Sequence, residues 1–385
     1  MIRMIEDMEY KFNIRKSNTV EILTLLFKNP AISRIDISKL INLNKASVSE
    51  IINLMIEKEL VVEIGSGNVT SNGGRKPILL KLNDNAGCSL AIDFGIDYVS
   101  FLLTDLNKNV LKSEKIYKKI SMTNVVDIII NIINSLKDIS NNFKYGLIGV
   151  SIAIHGRVLN DEIKFTPYYD LDKFNLKEEL NKSLPGLNIT LENESNLAAI
   201  GEFENSNEDL KNSIIINVHS GIGAGIIING ELYTGFEGRA GEVGHMILVP
   251  NGRNCPCGNK GCFEQYCSIP AIINEFNSIS NSNITSIKEL CILYNNKNKF
   301  AMSIINKNIE LMATGITNIF NLFAPDNIFL HSDLIEFIPN YLDLINDKIN
   351  SFFSKNLTLL PNKLNGKSNL FGGITISIYN FFNNF

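Results

Sequence analysis

The chain has 385 residues, 45% of them hydrophobic and 20% charged, with a formal net charge of −4. That composition fits a globular protein of two or three domains, and it excludes a disordered chain or a uniformly basic nucleic-acid binder. The opening MIRMIEDMEY lacks an apolar core of signal-peptide length, and runs such as VVDIIINIINSL are interrupted by Asp127, Asn131 and Asn134, well short of the roughly 20 residues that span a bilayer. Four of the six cysteines cluster between Cys255 and Cys267, which points to metal binding in a reducing cytoplasm rather than to disulfides.

The charge is unevenly spread. Residues 11–81 carry eleven Lys/Arg against six Asp/Glu, a balance of +5, and the remainder of the chain is −9. The basic segment reads as a winged helix-turn-helix. Residues 19–28 place Val20, Leu23, Leu26 and Phe27 on one helical face; AISRIDISKLI follows, with Ser33 as N-cap and Ile37, Leu40 and Ile41 inward. After the short turn NLN, Val48, Ile51, Ile52 and Met55 recur at helical spacing, leaving Lys45, Ser47, Ser49, Glu50 and Asn53 outward. Asn44 caps that helix and aims its N-terminal amides at a phosphate, while Lys45, Ser47 and Ser49 are the candidates for base edges or backbone. VVEIGSGNVTSNGGRKPILLKL then reads as two strands around a cationic tip at Gly73, Gly74, Arg75 and Lys76, a wing for the DNA backbone or minor groove. Three short helices alone could be a mere packing module. The basic hairpin and the charge asymmetry decide for a DNA-binding domain over residues 1–84.

From Cys88 the pattern changes to strands, three of them in CSLAIDFGIDYVSFLLTDLNKNVLKSEKIY, then a helix over 125–136 and another strand, GLIGVSIAI. A second set opens with SIIINVHSGIGAGIIINGELYTG. Two halves that each begin with a hairpin predict an α/β protein of two similar lobes with a cleft between them, over residues 85–385.

The stretch AGEVGHMILVPNGRNCPCGNKGCFE holds three cysteines at C-x-C-x4-C spacing ten residues after a histidine. Cys255, Cys257 and Cys262 offer thiolates and His245 an imidazole; Gly258 and Gly261 supply the tight turns that let close ligands converge on one tetrahedral ion. Zinc is the natural occupant of this 245–262 loop. Four protein ligands close its shell, so the role is structural. Cys267 is a spare thiol that could replace one of the four, whereas Cys88 and Cys291 read as small core residues.

SGIGAGIIINGELYTG, AGEVGHM, CPCGNKGCFEQY and ENESNLAAIGE together resemble the ROK family, which contains sugar kinases and sugar-responsive repressors. The resemblance covers about residues 15–371 and implies an actin-like, hexokinase-like (ribonuclease H-like) two-lobed domain. The winged-helix start, with GGRKP before the first strand, is what the repressor branch has, and within it the chain is most similar to the xylose-repressor group. By resemblance, Asn193, Glu194, Glu242, His245 and Glu264 form the sugar-binding set, and His155 and Gly156 lie in another sugar-contacting turn. The chemistry agrees, because a polyhydroxylated ring needs convergent donors and acceptors. His245 serves both roles if one ring nitrogen binds zinc and the other faces the sugar.

Phosphoryl transfer requires residues that this chain has changed. Family kinases carry an aspartate base where Glu194 stands, D-x-G-G-T where this chain reads DFGID, and glycine where it has His219; HSD at 331–333 replaces their glycine run near adenine. Ile96 and Asp97 put bulk and negative charge against a phosphate. ATP is therefore not expected, and no catalytic residue is assigned, Glu194 being a degenerate base position. The expected protein is a cytoplasmic repressor, not an enzyme. It binds operator DNA as a homodimer or dimer of dimers, releases it on binding a monosaccharide such as xylose, and has no membrane partner. The competing readings are an active ATP-dependent sugar kinase with an added DNA-binding domain, and a zinc-stabilised DNA-binding scaffold without ligand.

Overall fold

The structure is a computed structural model that describes residues 16–67, 76–206, 210–349, 352–354 and 357–385. The chain forms two compact units, one of residues 1–192 with 373–385 and one of residues 193–372.

The first unit begins with helix α1 (16–28). Strand β1 (Ile32–Ser33), α2 (Arg34–Leu40), α3 (Lys45–Glu57), β2 (Val61–Ser66) and β3 (Ile78–Leu82) follow. Ser33 caps α2 by accepting from Asp36 N at 3.2 Å, and Asn44 caps α3 by accepting from Ser47 N at 2.9 Å. Both caps satisfy amides that a helix start leaves unpaired. Val48, Ile51, Ile52 and Met55 are buried on α3 as their spacing requires. β2 and β3 pair antiparallel, Val61 opposite Leu82, and β1 adds to β3 with Ile32 opposite Leu80. Two details of the predicted faces are corrected. Leu40 is 65% exposed because α2 ends there, and on α1 the fully buried positions are Ile22, Leu23 and Leu26 while Val20 is half-buried. Gly73, Gly74 and Arg75 of the predicted wing tip lie outside the described residues, and Lys76 is exposed.

The same unit contains β4 (Cys88–Phe94), β5 (Tyr98–Asp105), β6 (Val110–Tyr117), α4 (Val125–Ser135), α5 (Lys137–Ser140), β7 (Leu147–Ile154), the hairpin β8 (Arg157–Leu159) and β9 (Glu162–Phe165), α6 (Leu176–Ser183) and β10 (Ile189–Asn193). Its sheet runs β10-β7-β4-β5-β6, with β4–β5 and β5–β6 antiparallel and β4–β7 parallel. Every residue of β4 is buried, the near-continuous apolar run expected of a central strand. Ile129 and Ile133 of α4 and Leu180 of α6 close one face of it.

The second unit contains α7 (Glu194–Glu204), β11 (Ser213–Val218), β12 (Ile222–Ile228), β13 (Glu231–Leu232), α8 (Glu264–Cys267), α9 (Ile269–Ser280), α10 (Ile287–Asn295), α11 (Lys299–Phe323), β14 (Asn327–Ser332), α12 (Asp333–Phe337), α13 (Tyr341–Asn346), β15 (Leu359–Pro361) and the start of α14 (Ser368–Phe382). Its sheet runs β13-β12-β11-β14-β15, with β11–β12 antiparallel and β14 parallel to both β11 and β15. Both sheets thus carry the same strand order, two hairpin-linked partners on one side of the first strand and two later strands on the other. The fold is mixed α/β, a winged helix followed by an actin-like, hexokinase-like domain made of two such halves.

The last residues of α14 return to the first unit and pack beneath the winged helix. Phe27 of α1 meets the rings of Tyr379 and Phe382 at 5.4 and 6.3 Å, and Tyr145 meets Phe381 and Phe385 at 5.3 and 5.8 Å. Tyr145 Oη donates to Lys58 O at 2.9 Å, and Lys144 pairs with Glu59 at 2.6 Å.

Candidate functional site

The backbone after β13 is forced into position by two glycines. Gly241 (φ 84°) is so close to β12 that a Cβ would lie 1.9 Å from Ala224 O, and at Gly261 (φ 84°) one would lie 1.8 Å from Val249 O. Only glycine fits either place. The bridges Ile247–Cys262 and Asn254–Lys260 then fold 245–262 back on itself.

That fold brings His245, Cys255, Cys257 and Cys262 together, with all four ligand atoms within 4.8 Å of one another. Cys257 Sγ and Cys262 Sγ are 3.7 Å apart, and Cys255 Sγ is 3.5 Å from His245 Nδ1. A tetrahedral zinc with Zn–S of about 2.3 Å and Zn–N of about 2.0 Å would set sulfurs about 3.8 Å apart and sulfur and nitrogen about 3.5 Å apart. The donor set and its spacing fit that ion. Cys267, the alternative ligand, is buried away from this group and its thiol lies near Asn308 and Tyr341 instead. Burial pushes the Cys255 and Cys262 thiols up, while the Asn259 backbone amide pulls Cys257 down. A second layer braces the loop: Arg253 donates to Gln265 O at 2.8 Å and pairs with Glu275 at 2.6 Å, and its backbone amide donates to Tyr266 Oη at 2.8 Å.

The carboxylates expected to hold a sugar attach to this cluster. Glu242 Oε2 lies 3.9 Å from His245 Nε2, the ring nitrogen opposite the one that faces Cys255. Glu264 Oε1 lies 3.5 Å from His245 Nδ1 and accepts from Cys255 Sγ at 3.2 Å and Gln265 Nε2 at 3.3 Å. Glu242 is the more exposed of the two, with 56% of its side chain accessible against 17% for Glu264. Asn193 Oδ1 caps α7, accepting from Ser195 N at 2.9 Å and Asn196 N at 3.0 Å, and Glu194 Oε2 accepts from Ser195 Oγ at 2.9 Å.

In the first unit, His155 and Gly156 follow β7. His155 Nε2 is 3.0 Å from Asp93 Oδ1, and the second oxygen of Asp93 accepts from Tyr98 Oη at 3.1 Å and Ser100 Oγ at 3.4 Å. A Cβ at Gly156 would lie 2.2 Å from Phe165 O. Sequence reasoning did not single out Asp93, although it is the one acid in the otherwise uncharged strand CSLAIDF, a signal that was there to be read. Ile96 and Asp97 are exposed in the turn beyond it.

The two histidines that depart from the kinase pattern meet. His219 Nε2 and His331 Nδ1 are 3.2 Å apart; Asn217 Oδ1 is also 3.2 Å from His331 Nδ1, and Asn217 Nδ2 donates to Ser195 Oγ at 3.2 Å. Strand register causes the meeting, since β11 and β14 set Asn217 opposite His331.

On the winged helix, Lys45 is exposed, Ser47 and Ser49 are half-buried, and Asn44 is spent on its cap. Arg34 reaches across from α2, donating to Asn53 Oδ1 at 3.2 Å and pairing with Glu63 at 2.9 Å. Its role was not foreseen, because the three residues belong to three different elements.

Comparison with known proteins covers most of the chain. The ROK family model matches residues 89–376, and the model for winged helix-turn-helix DNA-binding domains matches residues 15–62. The xylose repressor of Bacillus subtilis is 32% identical over 375 residues, 96% of each chain. Among solved structures, a ROK family transcriptional regulator described as a homologue of the Escherichia coli MLC protein superposes with a TM-score of 0.80, at 24% identity, over 96% of this chain and 98% of that one. A ROK family glucokinase from Streptomyces griseus, solved with glucose and AMPPNP, gives 0.65 at 24% identity over 75% of this chain and 99% of its own.

Proposed function

The chain belongs to the ROK family, and on that premise we propose that it is a transcriptional repressor that binds operator DNA and leaves it when a monosaccharide, xylose in the first instance, binds the large domain. The observation that carries this reading is the full-length match to a protein named xylose repressor, winged helix included. Residues 1–84 form the DNA-binding part and 85–385 the sugar-binding part. Asn44, Lys45, Ser47, Ser49, Arg75 and Lys76 meet the DNA. A homodimer or dimer of dimers supplies the two-fold symmetry that a palindromic operator demands. The cytoplasm is the proposed compartment, because a repressor works at the chromosome; among the described residues no helix is long and apolar enough to cross a membrane.

Glu242, Glu264, Asn193, Glu194 and His245 are the proposed sugar ligands of the second unit, and His155 and Gly156 are proposed sugar-contacting residues of the first. Carboxylates accept from hydroxyls and the Asn193 amide donates, which suits a neutral polyol. His245, Cys255, Cys257 and Cys262 would hold zinc, which supplies a rigid tetrahedral anchor when bound. His245 then holds Nε2 toward Glu242, and Glu264, which loses the Cys255 proton once that thiol becomes a ligand, keeps Gln265 Nε2 as its donor.

Kinase activity is the second reading, and the Ser195–Asn217–His331–His219 chain speaks against it. Side chains fill a position where this fold's kinases keep glycine, and Glu194 already accepts a hydroxyl from Ser195. The test has two arms. Operator fragments should shift with the purified full chain and be released by xylose, while a coupled ADP-release assay with xylose and glucose should stay at background. Turnover above background with either sugar would favour the kinase; a shift indifferent to every sugar would favour the ligand-free scaffold.

A further inference from the structure

One line of hydrogen bonds in the second unit has a definite direction. Ser195 Oγ donates to Glu194 Oε2 at 2.9 Å and accepts from Asn217 Nδ2 at 3.2 Å. With its nitrogen committed to Ser195, the Asn217 amide turns its oxygen toward His331 Nδ1, 3.2 Å away. A carbonyl oxygen cannot donate, so the proton of that contact belongs to His331 Nδ1. His219 Nε2 lies 3.2 Å from the same atom. It therefore faces an N–H and is the unprotonated nitrogen of its own ring.

The surroundings enforce this direction. Burial pulls the His331 pKa down to about 3, so the neutral ring carries a single proton and must place it on one nitrogen. Nδ1 has two acceptors at 3.2 Å, whereas Nε2 has no hydrogen-bonding partner among the described residues and faces Gly366, where a Cβ would lie 3.5 Å away. Asn217 and Ser195 are only 3% and 4% exposed, so neither the amide nor the hydroxyl can turn to bulk water instead. The sequence builds the line by register and by size. β11 and β14 set Asn217 opposite His331, and bare backbone at Gly223, where a Cβ would lie 2.7 Å from Ser195 Oγ, leaves room for the hydroxyl.

All three donors thus point the same way, and the line ends on a carboxylate. Glu194 Oε2 is answered by Ser195, while Oε1 has no partner among the described residues. We propose that His331, Asn217 and Ser195 are positioning residues that fix the Glu194 carboxylate, so that Oε1 is presented as a preset acceptor to a hydroxyl of the ligand. The inference rests on the reading of Glu194 as a sugar ligand, and it gives His331 a purpose that the loss of ATP binding does not supply. A carboxylate already held by a charge-assisted hydrogen bond loses little rotamer freedom when the ligand arrives.

The tautomer is read by long-range ¹H–¹⁵N correlation on the full-length chain labelled with ¹⁵N-histidine, its four histidines assigned by substitution. At about pH 7.5, above the ordinary histidine range, His331 should show a protonated Nδ1 and a bare Nε2, and His219 a bare Nε2. A proton on His331 Nε2 overturns the relay without reference to any sugar. Calorimetry with xylose reads the consequence. Ser195→Ala and His331→Leu should each weaken xylose about tenfold, the worth of one hydrogen bond to a charged group, and melting temperatures of the same samples show that they are folded. His331→Asn sets an amide N–H where Nδ1–H stood and should recover affinity to within about threefold of the wild type. If His331→Leu does not fold, Ser195→Ala carries this arm alone. Xylose affinity equal to the wild type in the folded variants overturns the proposal as well. A wild type that binds no xylose defeats the sugar reading instead, and the tautomer then decides the relay.

Discussion

His331 Nδ1 sits 3.2 Å from His219 Nε2, the two rings crossing at 82°. Burial, and secondarily the neighbouring His219, pull His331 down to about 3 from the usual 6.5. The folded chain therefore keeps this ring neutral where the unfolded chain protonates it. Its contribution to stability is complete above about pH 6.5 and is lost as pH falls toward 3, at up to about 1.4 kcal/mol per unit. Melting curves between pH 7.5 and 5 should fall more steeply for the wild type than for His331→Asn. Parallel curves would contradict the assignment.

The metal prediction is stoichiometric. Purified protein should carry about one zinc per chain, and chelation should lower the melting temperature, because binding to the folded state alone adds stability. Cys257→Ser removes an exposed thiol, so packing barely changes and any destabilisation reports the lost ligand. Elemental analysis without stoichiometric metal would remove zinc from the account.

The cysteine loop and the winged helix were legible because their chemistry is local: ligands within eighteen residues, caps three residues from the amides they satisfy. The alternation of apolar runs likewise announced the hairpins that open each half. What escaped depends on long-range register. Asp93 and His155 are 62 residues apart and His219 and His331 are 112 apart, each pair joined by neighbouring strands that one sequence cannot align. The tail ISIYNFFNNF carried no motif and drew no reading from the sequence; the fold places Tyr379 and Phe382 against Phe27. Leu40 misled because helical spacing predicts a face and not where the helix stops.

That aromatic contact has an energetic consequence. Phe382 is fully buried, and truncating a buried phenylalanine costs about 3–5 kcal/mol. Phe382→Ala should therefore lower the denaturant midpoint of the full chain and weaken operator binding. Unchanged stability would mean that the end of α14 does not anchor α1.

DNA contacts separate by salt. Lys45→Ala should cost about 1–3 kcal/mol on the cognate operator if the residue reads a base, whereas Lys76→Ala should weaken cognate and random DNA alike and reduce the salt slope by about one. Arg34→Ala should weaken operator binding indirectly, since it frees Asn53 and Glu63 from their partner. Band shifts across a salt series check all three, and identical slopes for wild type and Lys76→Ala would exclude a phosphate contact there.

The proposed sugar site is tested at Glu242. A ligand moves a two-state equilibrium only by its differential affinity for the two states, so taking the repressor from mostly bound to mostly free needs a preference of roughly 10²- to 10⁴-fold for the DNA-free form. By reciprocity, operator DNA must weaken sugar binding by the same factor. Glu242 is exposed beside His245 and is not buried in the packing of its unit, so Glu242→Ala should leave folding and operator affinity near wild type while removing an acceptor for a sugar hydroxyl, a loss of about 1–3 kcal/mol. The expected protein is a super-repressor that holds its operator at xylose concentrations that release the wild type. Calorimetry of xylose with and without operator measures the coupling directly. Equal sugar affinities in the two titrations, or a variant released at the wild-type concentration, would break the link between this carboxylate and induction.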